Sequence, residues 1–260
     1  MNPEARILIC RMTPIFDRHP RFQSGTRDWH AQIQGAIEQV ALGTHVQLID
    51  LNSPLRARPD LFPDALHPNP EGARILARTV YGALTGDHGG LRLPPVYSSG
   101  MVLPRDEYLL IEGQANARQN IRAVLSKDGK VVEERDAFTR ADGSWQMELP
   151  HMKAGGPYKL TFTATPLAPK DYQAYYPEHY PFSLQNLSKA KAQTLVIDSL
   201  YFGDLWLASG QSNMELRVDQ CNTLEQDLAD AARLADRLHL FNMPARARTD
   251  AVEWDDSVLR

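Results

Sequence analysis

The feature that most constrains this chain is a change of hydrophobic rhythm at Gly86-Asp87-His88-Gly89-Gly90. Before this polar, glycine-rich joint the apolar residues alternate between strand-like runs and helical spacing. After it they fall into short strands separated by turn signals, so one uniform layer cannot hold both halves. Ile7–Cys10 is a short apolar run that predicts a buried parallel strand. Trp29, Ile33, Ile37 and Val40 recur at three- and four-residue spacing and predict one face of a helix ending near Gly43. Val46–Leu51 reads as a second strand. Asn69-Pro70-Glu71 opens a second helix, with Asn as N-cap, Pro at the first helical position and Glu favourable to the dipole. Its predicted apolar face carries Ile75, Leu76, Val80 and Leu84.

Beyond the joint, Ile121–Leu125 and Val131–Arg135 flank Asp128-Gly129, a strong hairpin signal. Trp145–Leu149 and Tyr158–Thr163 alternate apolar and polar residues on either side of Ala154-Gly155-Gly156-Pro157. This pattern predicts a small antiparallel sandwich. Residues 166–191 are rich in Tyr, Pro and Lys and read as an irregular loop or insertion. Their tyrosines, Tyr172, Tyr175, Tyr176 and Tyr180, suit packing onto the sandwich more than sugar stacking. Leu195–Tyr201 and Leu205–Ala208 then restore α/β character, ahead of a helix marked by Leu224, Leu228, Ala231, Leu234 and Ala235 and a strand at Leu238–Phe241. Trp145 and Trp206 read as core residues.

Composition sets outer bounds. The 260 residues carry a net charge of −4 with no long block of one sign, which argues against nucleic acid or an anionic membrane surface as a partner. No apolar run approaches the length of a membrane span. The N-terminus lacks a secretory signal pattern, so the chain taken literally stays in the cytoplasm. Cys10 and Cys221 read as buried free thiols. The histidines His19, His30, His45, His88, His151, His179 and His239 show no metal-ligand spacing, so neither metal nor other cofactor is expected.

Two places can carry chemistry. Ser212 lies where an apolar strand turns toward a helix, beside backbone N–H groups able to stabilise an oxyanion. A serine becomes a nucleophile when a histidine takes its proton and a carboxylate orients that histidine. On local features alone, a turn or capping serine is the stronger reading. Asp64-Ala65-Leu66-His67-Pro68-Asn69 sets a carboxylate three residues before a histidine at the entry to a helix. There the carboxylate can fix the imidazole tautomer, although the bare spacing also suits a plain helix-entry loop.

Gly203-Asp204-Leu205-Trp206-Leu207-Ala208-Ser209-Gly210-Gln211-Ser212-Asn213-Met214-Glu215 resembles the nucleophile block of the sialate O-acetylesterase family of SGNH hydrolases. Leu93-Pro94-Pro95, Ser99-Gly100-Met101-Val102-Leu103, Asp142-Gly143-Ser144-Trp145 and Ala154-Gly155-Gly156-Pro157-Tyr158 are similar to the β-domain that precedes that block. Leu61-Phe62-Pro63-Asp64-Ala65-Leu66-His67-Pro68-Asn69-Pro70-Glu71-Gly72-Ala73 resembles the last catalytic block of SGNH, or GDSL-type, hydrolases. The resemblance implies Ser212 as nucleophile, His67 as general base and Asp64 as its orienting partner. Gly210, Gln211 and Asn213 would then belong to the oxyanion and nucleophile turn.

In the family the serine block comes first and the Asp/His block last; here the order is reversed. The glycine and asparagine blocks that complete the oxyanion hole have no counterpart. The resemblance therefore implies α/β plus β, with partial flavodoxin-like SGNH layers flanking a small antiparallel β-sandwich. Residues 1–88 would be the C-terminal portion of one SGNH domain, 91–193 the sandwich, and 194–260 the N-terminal portion of a second. Met1 and Arg260 would then be the edges of a window cut from a tandem protein, in contact with the missing parts of a longer parent. A circularly permuted, shortened hydrolase is the rival arrangement. The activity implied is removal of O-acetyl groups from a carbohydrate, with sialic acid and acetylated plant polysaccharides both compatible, in a parent acting on exported glycans. The alternative is a catalytically incomplete fragment whose sandwich serves for docking or sugar binding.

Overall fold

A computed structural model describes residues 7–16, 19, 24–168, 191–210, 212 and 216–241. It is a mixed α/β structure whose main core lies between β-sheets, with three α-helices among the described residues. The N-terminal segment holds β1 (Leu8–Cys10), α1 (Ser24–Thr44), β2 (Gln47–Ile49) and α2 (Pro70–Thr85). β1 and β2 pair in parallel, with Leu8 opposite Gln47, but the burial expected of the first apolar run is absent: Ile7 and Cys10 are exposed and Leu8 and Ile9 half-buried. α1 ends in a left-handed residue, but that residue is His45 and not a glycine. The Val46 N–H donates to Ala41 O and the His45 N–H to Leu42 O, which satisfies the last carbonyls of the helix. α2 begins as expected: Asn69 Oδ1 accepts from the Gly72 N–H at 2.9 Å, Pro70 fills the first turn, and Gly86 closes the helix at φ 75°.

The packing of this segment departs from its pattern. Trp29, Ile33 and Val40 are exposed on α1, as is Leu84 on α2. Helical spacing predicts a face that wants burial, but burial requires a covering layer. Among the described residues the cover is a small cluster of Leu55, Leu61 and Phe62, with Phe16, Ile75 and Leu76 packed on it. Neither cysteine is the buried thiol expected. Both are free, Cys10 is exposed and Cys221 half-buried. Among the described residues β1 has only β2 as ladder partner, so its last residue stands at an open edge.

After the joint come β3 (Val102–Pro104), β4 (Leu109–Gln114), β5 (Gln119–Lys127), β6 (Lys130–Phe138), β7 (Ser144–Leu149), β8 (Gly155–Pro166) and β9 (Gln193–Gly203). Five strands form one sheet in the order β3-β9-β8-β5-β6, and β4 pairs with β7 in a second. The β5–β6 hairpin closes through Asp128 and Gly129, both at positive φ (50° and 74°), the two-residue turn that its sequence predicts. Inward residues of both sheets meet in one cluster that includes Ile111, Ile121, Trp145, Leu160, Phe162 and Ile197. The Trp145 and Phe162 rings lie 5.6 Å apart. Each such fully buried apolar side chain contributes roughly 1.5–3 kcal/mol.

Leu195–Tyr201, read from its apolar run as a return to α/β character, is instead part of β9. That strand runs antiparallel to β8 and parallel to β3, and it buries Ile197, Leu200 and Phe202. A short apolar run specifies a buried strand without specifying the sheet it joins. Past β9 the described residues bury little. α3 (Leu224–Leu234) matches the predicted helix yet has no buried residue. Leu238–Phe241 forms no strand, and Trp206, expected in the core, is 91% exposed. The insertion with its four tyrosines and His179 lies outside the described residues apart from its ends. No helix among the described residues is long and apolar enough to cross a membrane.

Candidate active site

The Asp64–His67 loop stands on the small N-terminal core. Phe62 and Ala65 point inward, 1% and 2% exposed, and the Phe62 ring packs on Phe16 at 5.1 Å. The Phe16 N–H donates to Ala65 O at 3.0 Å and the Asn69 N–H to Leu61 O at 2.7 Å, pinning both ends of the loop. Ala65 sits at φ 62°, a left-handed kink that throws the next residues back toward the carboxylate. Asp64 Oδ1 then accepts from the N–H groups of Leu66 (3.0 Å) and His67 (2.6 Å), while Oδ2 faces His67 Nδ1 at 2.6 Å.

This geometry settles the electrostatics of the pair. The His67 ring contact, followed by the two backbone donors, holds the Asp64 carboxyl well below the usual carboxylate range. An ionised carboxylate only accepts, so the proton between them resides on Nδ1. Nε2 is the ring nitrogen left without a partner in this pair. Both side chains are solvent-exposed, 52% for Asp64 and 76% for His67. The pair is therefore oriented but not enclosed.

Ser212 lies beyond β9 on an exposed stretch, at φ 54°. Few residues other than glycine adopt that conformation, and a non-glycine residue held there has commonly been positioned for a task. Gly210, two residues earlier, is at φ 154°, and Ser212 O accepts from the Leu216 N–H at 3.0 Å. Gln211 and Asn213 lie outside the described residues. The strand leading to this turn is tied down at its end by Asp204. Arg105 Nε donates to Asp204 Oδ1 at 2.8 Å, and the Arg105 N–H donates to Gly203 O at 3.0 Å. These bonds join the end of β3 to the end of β9; opposite charges 99 residues apart gave no sequence signal for the pairing.

The structure thus brings Asp64 and His67 together. No hydrogen bond joins His67 to Ser212 among the described residues. No cluster of three or more His, Cys, Asp or Glu residues suited to a metal occurs among them either.

Comparison with known proteins gives these loops a context. Residues 1–75, which contain Asp64 and His67, match the GDSL-like lipase/acylhydrolase family. The chain is 26% identical over 170 residues to a sialate O-acetylesterase of Rattus norvegicus, covering 64% of this chain and 27% of that protein. It is 25% identical over 145 residues to the Homo sapiens sialate O-acetylesterase, covering 55% and 24%. A crystal structure of a carbohydrate acetylesterase from Xanthomonas citri aligns with 27% identity and a TM-score of 0.36, over 54% of this chain and 25% of that one. Residues 1–75 are thus similar to the GDSL-like acylhydrolases, and the chain more widely is similar to sialate O-acetylesterases. The chain spans about a quarter of the length of the curated relatives it matches.

Proposed function

We propose that this chain carries the chemistry of a serine esterase that removes O-acetyl groups from carbohydrate. The observation that carries the reading is the Asp64–His67 pair: a carboxylate held by two backbone N–H groups and a ring whose Nε2 is left to act as base. Its curated relatives are named sialate O-acetylesterases, which supports the same chemical class. In this reading His67 Nε2 takes the Ser212 hydroxyl proton as Oγ attacks the acetyl carbonyl. The tetrahedral oxyanion is met by N–H groups of the turn that holds Gly210, Gln211 and Asn213. Collapse transfers the proton from His67 to the departing sugar oxygen and leaves acetyl-Ser212. Water, deprotonated by His67, then releases acetate and regenerates Ser212.

A second reading is favoured by the exposure of Trp206 and Leu207, 91% and 94%, and of both halves of the candidate site. In it, residues 1–88 are the C-terminal portion of one SGNH domain, 91–193 a β-sandwich and 194–260 the N-terminal portion of a second. Ser212 and His67 then complete different sites with other parts of a longer chain. An oxyanion donor lacking from either site would cost roughly 2.7–4 kcal/mol of barrier stabilisation.

Hydrolysis of an activated acetyl ester by the purified chain, with Ser212→Ala and His67→Ala alongside, separates the two. Activity abolished by both substitutions means one working site. A folded but inert chain sinks the single-site reading and leaves the divided one.

A further inference from the structure

The joint between the two segments is a fitted contact with a titratable centre. The His88 ring is wedged between α2 and the loop joining β6 to β7. A Cβ at Gly82 would come within 2.4 Å of its Nδ1, and one at Gly143 within 2.7 Å of its Cγ and Cδ2. Only residues without side chains allow that approach from both sides. The ring's Nε2 lies 2.9 Å from Ala141 O, an acceptor, so Nε2 carries the proton. Nδ1 faces the α2 backbone at Gly82 and has no hydrogen-bond partner among the described residues.

Main-chain bonds converge on the same point. Asn116 Oδ1 accepts from the N–H groups of His88 (2.9 Å) and Gly90 (3.0 Å). The Ala117 N–H donates to Gly86 O at 2.8 Å, and Arg92 Nη1 donates to His88 O at 2.8 Å. Ala141 also closes one side of a cavity of about 420 Å³ whose other walls, Glu38, Ala41, Leu42, Val46 and Leu48, come from the N-terminal segment. The two segments therefore meet through His88 and the loop it holds.

We infer that His88 is a latch: in its neutral form it fixes the N-terminal segment on the β-segment, and protonation releases the joint. A second proton would go to Nδ1, which lies against α2 at Gly82 and has no hydrogen-bond partner among the described residues. Burial pushes His88 below its ordinary value of 6.5; the bond to Ala141 and the charges of Asp142 and Asp87 oppose this, and Arg92 adds to it. The sign follows. Above about pH 6.5 the ring is neutral whether the joint is closed or open. Below it the open form takes up a proton that the closed form resists, so closure weakens as pH falls.

Hydrogen exchange on the full chain at about pH 7.5 and about pH 5, corrected for intrinsic rates, tests this. Protection of the 86–91 amides should fall by up to about tenfold per pH unit below 6.5, the limit for one linked proton, while β5 and β8 stay protected. His88→Gln, which keeps an N–H donor but cannot titrate, should flatten that dependence. Gly82→Ala should displace the ring and leave the joint weakly protected at both pH values, serving as a control if His88→Gln does not fold. A wild-type joint equally protected across this range, or a His88→Gln joint with the wild-type slope, would overturn the latch.

Discussion

Gly113→Ala tests how tightly Trp145 is held between its cross-strand neighbour and the facing sheet. Gly113 on β4 stands opposite Trp145 on β7. A Cβ there would lie 2.3 Å from Trp145 Cζ2, 2.6 Å from Cε2 and 2.8 Å from Arg92 O. Trp145 is 1% exposed and packed against Phe162, so the indole has little room to retreat. Overpacking of this kind costs about 1–3 kcal/mol. With a urea m-value on the order of 2 kcal/mol/M, the unfolding midpoint should drop by roughly 0.5–1.5 M. Trp145→Phe removes the ring atoms that two of the three contacts involve. It also removes a buried indole N–H without a partner among the described residues, so its own cost should be modest, roughly 1–2 kcal/mol. The double variant should then be more stable than the sum of the two single losses implies, by on the order of 1 kcal/mol. Recovery should be partial, because the Arg92 carbonyl remains in the way. Additivity within about 0.5 kcal/mol would show that Trp145 does not set the limit at Gly113, and the packing argument would be wrong.

Three further outcomes are expected. Asn69→Ala should lower stability by about 1 kcal/mol in chemical denaturation, since it leaves the Gly72 N–H without its cap, whereas Asn69→Asp should be close to neutral. The Asp64 carboxyl, followed by NMR, should titrate below its usual range. Its pairing with His67 would then be intact above the unfolded value and be lost only as pH falls through the folded one; Asp64 titrating normally would remove the oriented-imidazole argument. Ser212→Gly should fold at least as stably as the parent, because glycine accepts φ 54° without the serine's strain, while any Ser212-dependent ester hydrolysis disappears.

Local rules accounted for much of the architecture. The Asn69-Pro70 start of α2 and the Asp128-Gly129 hairpin are matters of dihedral preference and nearby donors, and both formed where the residues predict. The Asp64–His67 contact was legible for the same reason, because three residues of chain and two backbone N–H groups suffice to build it. Burial was less legible. Trp145 and Trp206 both read as core, yet one is enclosed by two sheets while the other stands 91% exposed beyond the last strand. The sheet to which Leu195–Tyr201 belongs was equally silent, since an apolar run carries no address.

By itself the sequence determined the short-range parts: helix starts, the hairpin, the carboxylate–histidine pair and the family blocks they lie in. Only the tertiary structure decided that β9 completes the β-segment, that Arg105 holds Asp204, and that His88 is caught between Gly82 and Gly143. Each of those contacts joins residues well separated along the chain. Whether they meet depends on the summed packing of whole layers, and no local preference encodes that sum.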